Sequence, residues 1–168
     1  MALKLELDIS RCCACGACAV ACMDQNDTDL STGVRPFRMV FRQETRHLGL
    51  IEYYSMSCMH CDNAPCVTAC PSGCLYKDEE TGLTLFDTKY CIGCHSCAMA
   101  CPFGAPTFGE DDKMTKCDGC YDRIKAGLQP ACVSACFFRA LKVVDDENPV
   151  APENSLIYQC DQLVKSQK

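Results

Sequence analysis

The chain has 168 residues, enough for one domain or two small ones, and 19 of these residues are cysteines. A formal net charge of −6 without a visible basic face argues against nucleic acid as a partner. No apolar stretch approaches the ~18 residues of a membrane span, so membrane attachment would need another subunit. Leu, Ile, Val and Phe make up only about a fifth of the chain, so metal or disulfides must help to hold the fold.

The first predicted element is a short strand at residues 4–9, where polar and apolar side chains alternate. It leads into the first of four cysteine runs, which contains Cys12, Cys15, Cys18 and Cys22. Gly16 eases the tight turn of this loop, and a short helix follows Cys18. A polar loop at residues 24–34 precedes two strands at 35–44 and 50–56, which we expect to pair across a turn at 46–49.

The second and third runs flank a predicted hairpin. The second run contains Cys58, Cys61, Cys66 and Cys70. The hairpin turns at Thr81-Gly82 and returns along residues 83–87. The third run contains Cys91, Cys94, Cys97 and Cys101, followed by Pro102. Its spacing, C-x2-C-x2-C-x3-C-P, is that of bacterial ferredoxins, in which the fourth thiolate ligates a second cluster.

The fourth run contains Cys117, Cys120, Cys132 and Cys136. Residues 103–106, which precede it, are predicted to be irregular. We assign no function to the charged residues 110–113. The long gap inside the run predicts a helical turn that ends at Gly127, and residues 140–144 form a closing strand. An acidic, proline-broken segment at 145–152 resembles a linker, and residues 155–168 favour a short amphipathic helix.

Iron–sulfur clusters explain these runs better than disulfides or zinc. Disulfides require a secreted chain, but the cysteine count is odd and the N-terminus lacks an apolar signal and a twin arginine. Zinc sites combine two C-x2-C pairs, unlike a three-cysteine loop with a fourth cysteine at x3. Three cysteines lie outside the pattern: Cys13, Cys74 and Cys160. We expect Cys13 and Cys74 to be buried as small hydrophobic side chains.

Two motifs carry a resemblance to a known family. They are Cys58-Met59-His60-Cys61-Asp62-Asn63-Ala64-Pro65-Cys66, and Cys117-Asp118-Gly119-Cys120-Tyr121-Asp122-Arg123 with Pro130-Ala131-Cys132. Together with the four runs, over about residues 4–145, the chain resembles the four-cluster ferredoxin subunits of molybdenum and tungsten oxidoreductases. These are the iron–sulfur subunits of dimethyl sulfoxide reductase, formate dehydrogenase, polysulfide reductase and related enzymes.

The resemblance implies an α+β fold of two interlocked bacterial-ferredoxin-like units, with short strands, short helices and many cluster-binding loops. Residues 50–107 would form an inner two-cluster unit from runs two and three. Residues 1–49 and 108–148 would form an outer unit from runs one and four. Residues 149–168 would be a C-terminal tail that docks on a partner and does not belong to this fold.

The resemblance also implies how the cysteines combine into four [4Fe–4S] clusters. Each set is named here for the run that supplies three of its members. Set one is Cys12, Cys15, Cys18 and Cys136; set two is Cys58, Cys61, Cys66 and Cys101; set three is Cys91, Cys94, Cys97 and Cys70; set four is Cys117, Cys120, Cys132 and Cys22. The chain departs from the family where Met23 and Phe137 replace proline, at Cys74, and in a short tail instead of a transmembrane anchor.

Several other side chains adjoin the runs. Arg11, Lys89, Lys116 and Arg139 lie next to predicted ligands; they either raise cluster potentials or are ordinary surface charges, and both interpretations stay open. We expect surface or cluster-supporting roles for His60 and His95, and solvent exposure for His47. We expect the following aromatic residues to be core residues: Tyr53, Tyr54, Phe86 and Tyr90.

The sequence shows no Rossmann glycine motif, P-loop or nucleophile–base pair, so we predict an electron-transfer subunit instead of a catalytic one. The expected partner is a large molybdenum- or tungsten-pterin subunit, formate dehydrogenase-like first and a tungsten aldehyde oxidoreductase second. A second redox subunit or a ferredoxin would complete the path. The alternatives are a scaffold that polymerises into a conducting filament bearing enzyme subunits, and a free polyferredoxin. We expect a cytoplasmic location, or export in the folded state with a partner that carries the signal.

Overall fold

The computed structural model describes residues 3–45, 49–144 and 155–156. Within these ranges the chain is a small mixed α/β protein of short elements. The strands are β1 (Lys4–Leu7), β2 (Met39–Thr45), β3 (Leu50–Met56), β4 (Leu75–Lys77), β5 (Thr84–Phe86), β6 (Thr107–Phe108), β7 (Met114–Thr115) and β8 (Leu141–Val144). The helices are α1 (Ala17–Gln25), α2 (Pro65–Thr68), α3 (Ser96–Ala100), α4 (Tyr121–Lys125) and α5 (Ala131–Ser134). His47, Cys160 and most of the predicted linker and tail lie outside the described residues.

The strands of the described chain form antiparallel pairs in a nested order. The β1 strand pairs with β8, so Leu7 lies opposite Leu141, and α1 packs against α5. Between these outer elements, β4 pairs with β5 and α2 packs against α3. Residues 4–7 and 141–144 are therefore paired with each other, and the elements between them in the chain pair among themselves. The predicted boundaries at residues 49 and 107 fall inside the β2–β3 and β6–β7 hairpins.

Two clusters of buried side chains form the core, and both contain cysteines. The outer cluster consists of Leu5, Leu7, Cys18, Cys132, Val133, Ala140, Leu141 and Leu156. The inner cluster consists of Ala64, Cys66, Cys74, Leu75, Cys91, Cys97 and Met114. Because so many buried positions are thiols, the core is built around the cysteine runs instead of beside them.

Most predicted elements are present, with shorter bounds. The β2 strand begins at Met39, not at residue 35, because its partner β3 ends at Met56, directly opposite. The β6–β7 hairpin is an element that the sequence did not predict. Each of its strands has two residues, too few for an alternating pattern, and the charged residues 110–113 lie in its turn.

Two residues of the predicted tail contact this chain's own fold. Ser155 forms an isolated bridge with Asp8, and its hydroxyl donates a hydrogen bond to the Glu6 carboxylate. Leu156 is buried in the outer cluster beside Leu5 and Leu7. At these two positions the tail belongs to the fold, contrary to our expectation. A partner contact by the remainder of residues 149–168 stays a prediction.

Candidate iron–sulfur sites

A left-handed residue precedes the second cysteine of every run. The φ angles are 56° at Ala14, 46° at His60, 69° at Gly93 and 78° at Gly119. This conformation turns the backbone sharply and lets successive N–H groups face one centre, as in anion-binding loops. The glycine that the sequence singled out, Gly16, is also left-handed, with φ of 80°.

A capped 3₁₀ turn precedes the first and third runs. Asp8 accepts a hydrogen bond from the Ser10 backbone N–H, 3.1 Å away, four residues before Cys12. Asp87 accepts from the Lys89 N–H at 2.9 Å, four residues before Cys91. Sequence reasoning missed this support, although the repeated Asp-x3-Cys spacing could have revealed it.

The cysteines of set one line a single cavity. This cavity brings Cys136 of the fourth run beside the three cysteines of the first run. Its other walls are mostly apolar, including Val40, Phe138 and Leu141. The first and fourth runs are thus brought together here, as the predicted set requires.

Two further cavities collect the cysteines of sets two and three. One cavity is lined by Cys58, Cys61, Cys66 and Cys101. The other cavity is lined by Cys70, Cys91, Cys94 and Cys97. Cys101, the last cysteine of the third run, therefore lies with three cysteines of the second run. Cys70, the last cysteine of the second run, lies with three cysteines of the third run.

The cysteines of set four also lie together. Cys22, from α1, interacts electrostatically with Cys117, Cys132 and Cys120. The packing of α1 against α5 explains this approach, because Cys22 and Cys132 lie on these two helices.

The positions of the sets place them in a line. Cys97 of set three and Cys66 of set two lie in the same buried cluster. His60, between Cys58 and Cys61 of set two, lies 3.8 Å from Cys117 Sγ of set four. Cys132 of set four packs in the outer cluster with Cys18 of set one. The order along the protein is therefore three, two, four, one.

Solvent exposure distinguishes the ends of this line from its middle. Within the described chain, the exposed cysteines of the four sets are Cys15 in set one and Cys94 in set three. Those of sets two and four are buried or half-buried. The two terminal sets are therefore the ones open to solvent.

Backbone N–H groups donate to several of the sulfurs. Cys101 Sγ accepts from the Ala105 N–H at 3.4 Å, and Cys136 Sγ accepts from the Ala140 N–H at 3.2 Å. In both the third and the fourth run, the donor is therefore the backbone N–H four residues after the last cysteine. Such bonds stabilise negative charge on sulfur and tune cluster potentials.

Burial opposes ionisation of the free thiols. It raises the pKa of Cys22 to about 12, with added repulsion from Cys117, and that of Cys58 to about 11. Because thiolates are the metal-binding form, assembly at these positions must be coupled to proton release.

His60 is a buried histidine that links the second and fourth runs. Its Nδ1 accepts a hydrogen bond from the Thr84 backbone N–H at 3.1 Å. Burial lowers the pKa of His60 well below its usual range, and the charge of Lys116 lowers it further. The neutral ring must then carry its proton on Nε2, which lies 3.8 Å from Cys117 Sγ. The expected supporting role of His60 agrees with these contacts.

The charged residues beside the runs differ in their surroundings. Arg11, Lys89 and Arg139 are exposed. Lys116 is only 1% exposed, so it is not an ordinary surface charge. Sequence reasoning missed the equally buried Arg38, because no cysteine lies near it in the chain.

Two expectations about side-chain burial were wrong and one was confirmed. Cys13 is exposed, and it lies at the cavity of set one, where it lines the wall beside Cys12. Tyr90 is 62% exposed and does not belong to the core. Cys74 is buried as expected and lines the cavity of set three.

The donor chemistry of these sites fits a [4Fe–4S] cluster. Four thiols around an apolar cavity, with backbone N–H groups directed at sulfur, are the environment that such a cluster requires. Within the part of the chain that the structure describes, no three His, Cys, Asp or Glu side chains converge closely enough for a single metal ion. The assignment of individual ligands stays a prediction. No helix among the described residues is long and apolar enough to cross a membrane.

The fold and these sites define an iron–sulfur protein of the electron-transfer type. Residues 50–146 match the family described as the 4Fe-4S dicluster domain, and the chain belongs to that family. The chain is 43% identical over 146 residues to the B subunit of the anaerobic dimethyl sulfoxide reductase of Shigella flexneri, covering 80% of this chain and 69% of that relative.

Two other relatives are also iron–sulfur or electron-transfer subunits. The thiosulfate reductase electron transfer subunit of Salmonella typhi is 42% identical over 143 residues, with 80% of this chain and 71% of the relative covered. The iron-sulfur subunit of the nitrate-inducible formate dehydrogenase of Escherichia coli (strain K12) is 34% identical over 148 residues, with 77% and 50% covered.

Proposed function

We propose that the chain carries four [4Fe–4S] clusters and conducts electrons between a molybdenum- or tungsten-pterin catalytic subunit and a second redox partner. The linear order of the four cysteine sets, with an exposed cysteine at each end, is the observation that carries this proposal. Each cluster, when bound, would accept and release one electron with little rearrangement.

The chain's own residues would hold the path in place and insulate it. Mostly apolar side chains surround the cysteines of sets one, two and three. Lys77 and Lys113 donate to backbone carbonyls of Cys61 and Cys91, which fixes the loops of sets two and three. Such rigid support limits reorganisation around the metal site.

Exposed apolar side chains adjoin both ends of the line. Phe137 and Phe138, which are 86% and 47% exposed, follow Cys136 of set one. Tyr90 and Ile92, which are 62% and 65% exposed, flank Cys91 of set three. Exposed aromatic and aliphatic side chains of this kind are typical of partner contacts. We therefore assign one end to the catalytic subunit and the other to the second redox partner.

Sequence identity favours a reductase-type partner over our first expectation. The subunits of dimethyl sulfoxide and thiosulfate reductases are 43% and 42% identical to this chain, against 34% for the formate dehydrogenase subunit. The catalytic partner proposed here is therefore an enzyme related to those reductases, with a formate dehydrogenase-like enzyme second. The cytoplasmic location stays a prediction.

Anaerobic purification from the native source tests this function. We expect about sixteen iron and sixteen sulfide per chain, four of each per cluster, and a stoichiometric large subunit with a pterin cofactor. Cys13→Ser and Cys74→Ser should leave the iron count unchanged. Filaments of this chain in negative-stain micrographs would favour the scaffold alternative, and an isolated monomer would favour a free polyferredoxin.

A variant at one end of the line tests the contact surface. Phe137→Asp places a charge on a side chain that is 86% exposed, so the fold and the iron count should be unaffected. Leu128→Asp, at a position 54% exposed that lines no cluster cavity, is the matched control. We expect Phe137→Asp to lose one of the two partners. Equal recovery of both partners by the two variants would place the contact elsewhere.

A further inference from the structure

Two basic side chains are buried among the cysteine sets. Arg38 is 3% exposed and Lys116 is 1% exposed. Lysine and arginine are rarely buried to this degree unless they are paired. Within the described residues, neither forms an ion pair with a carboxylate. Some other negative charge must therefore compensate each of them.

The guanidinium of Arg38 is held in a fixed position by two serines. Its Nη1 donates to Ser55 Oγ at 3.0 Å, and its Nη2 donates to Ser57 Oγ at 2.7 Å. Ser55 Oγ in turn lies 3.3 Å from Cys18 Sγ of set one. Arg38 is thus connected to a predicted cluster ligand through one hydroxyl.

One donor of Arg38 has no partner in the protein. Its Nε is buried and is the side-chain polar atom without a hydrogen bond among the described residues. A buried unsatisfied donor is costly, so such an atom calls for an acceptor that completes the site. Cluster sulfide and cysteine thiolate are the negative acceptors expected in this region.

Arg38 lies close to sulfurs of two different sets. Its charge interacts with Cys22, Cys117 and Cys132 of set four, and with Cys18 of set one. Arg38 therefore lies at the junction between the fourth and first sets.

Lys116 occupies the next junction along the line. It lines the cavity of set two, and its Nζ donates to the carbonyl of Cys117 of set four at 2.9 Å. Between sets two and three, the described residues contain no buried lysine or arginine. The buried positive charge is therefore distributed unevenly along the path.

We infer that Arg38 raises the reduction potentials of the clusters in sets four and one. Reduction adds a negative charge to a cluster, and a fixed cation in a poorly solvated interior stabilises the reduced form. The inference rests on the proposed function, because it presupposes clusters in these two sets. In this role Arg38 supplies a fixed positive charge beside the electron path and contacts no substrate.

Arg38→Gln removes the charge and keeps a hydrogen-bonding side chain. The matched control is Arg42→Gln, on strand β2 four residues further along the chain, where the side chain is 57% exposed. Redox titration of the purified protein, followed by low-temperature EPR, gives the midpoint of each cluster. Cysteine-to-serine variants of each set assign the signals.

We expect Arg38→Gln to lower two of four midpoints, those of sets four and one. The ratio of reduced to oxidised cluster should fall about tenfold at the wild-type midpoint, which corresponds to about 59 mV for a one-electron couple. The midpoints of sets two and three should not change in Arg38→Gln. In Arg42→Gln, all four midpoints should remain at their wild-type values. Unshifted midpoints in Arg38→Gln with full iron content would overturn the inference.

Arg38→Lys separates charge from structural support. Because Arg38→Lys keeps the positive charge, the ratio of reduced to oxidised cluster at the wild-type midpoint should stay within about twofold of its wild-type value. A tenfold shift in Arg38→Lys with full iron, or loss of iron from both variants, would assign Arg38 to assembly and overturn the inference. If the wild-type protein itself shows no [4Fe–4S] signals, the proposed function fails instead.

Discussion

His60 Nε2 lies 3.8 Å from Cys117 Sγ, and this contact joins the second cysteine run to the fourth. The neutral ring is fixed by the Thr84 N–H at Nδ1, so Nε2–H is the group that faces the sulfur. A histidine within one cluster loop therefore supports a ligand of the neighbouring set. The contact connects the inner and outer parts of the chain at the middle of the proposed electron path.

Replacement of this ring should weaken set four specifically. His60→Asn keeps a residue that tolerates the left-handed backbone, where φ is 46°, but cannot reach Cys117. Loss of a hydrogen bond to a metal ligand typically costs 10–100-fold in affinity or activity. We expect faster iron loss from set four to a chelator, monitored by EPR.

His95→Asn is the control for this prediction. His95 is also left-handed, with φ of 59°, but its side chain is half-exposed and stacks on Phe108. Its replacement should have a smaller effect on iron retention. Equal iron loss from the two variants would show that the Cys117 contact is not the cause.

Cys22→Ser should remove or alter the cluster of set four and spare that of set one. Cys22 belongs to the first run, but it interacts with Cys117, Cys132 and Cys120. Cys136→Ser should have the reciprocal effect on set one, whose cavity it lines. EPR of the reduced variants distinguishes the two signals. The pairing would be refuted if Cys22→Ser changed the same signal as Cys15→Ser.

Gly119→Ala should destabilise the fourth run. Gly119 has φ of 78°, and an added Cβ would lie 3.0 Å from both Cδ atoms of Leu83. The left-handed backbone alone costs an alanine about 1–2 kcal/mol, and displacement of Leu83 adds to this. Gly16→Ala has nearly the same φ but meets nothing within 4 Å, so it isolates the backbone cost. We expect Gly119→Ala to show the lower thermal midpoint and iron content; the reverse order would contradict this explanation.

Leu156→Ala should destabilise the protein. Leu156 is 7% exposed and packs in the outer cluster, so its truncation should cost about 2–5 kcal/mol. Leu128→Ala is the control, because Leu128 is 54% exposed. Its expected change in the free energy of unfolding is about 0.5 kcal/mol or less. The thermal loss of cluster absorbance measures both. Identical midpoints for the two variants would mean that Leu156 does not stabilise the fold.

Complete removal of iron should unfold the chain. Four of the seven buried residues in the inner cluster are cysteines, so little apolar packing is left without the metal. Binding free energy is folding free energy in small metal domains of this kind. Anaerobic chelation should therefore collapse the far-UV circular dichroism. A native spectrum after full iron loss would show that side-chain packing is sufficient.

The cysteine spacing alone determined much about this protein. Ligand spacing is local, so it is written directly in the chain, and it predicted four runs, iron–sulfur chemistry and a ferredoxin-type protein. The β2–β3 and β4–β5 hairpins were predictable for the same reason, since alternation and turn residues are short-range signals. The capped turn before Cys12 and Cys91 was also present in the sequence, in the repeated Asp-x3-Cys spacing.

Only the tertiary structure decided which charges are buried. Arg11, Lys89, Lys116 and Arg139 all lie close to predicted ligands in the sequence, yet only Lys116 of these four is buried. Arg38 lies far from any cysteine in the chain and reaches the sulfurs because Ser55 and Ser57 fix its side chain. Burial depends on long-range packing, and it decides whether a charge acts through water or through the protein interior.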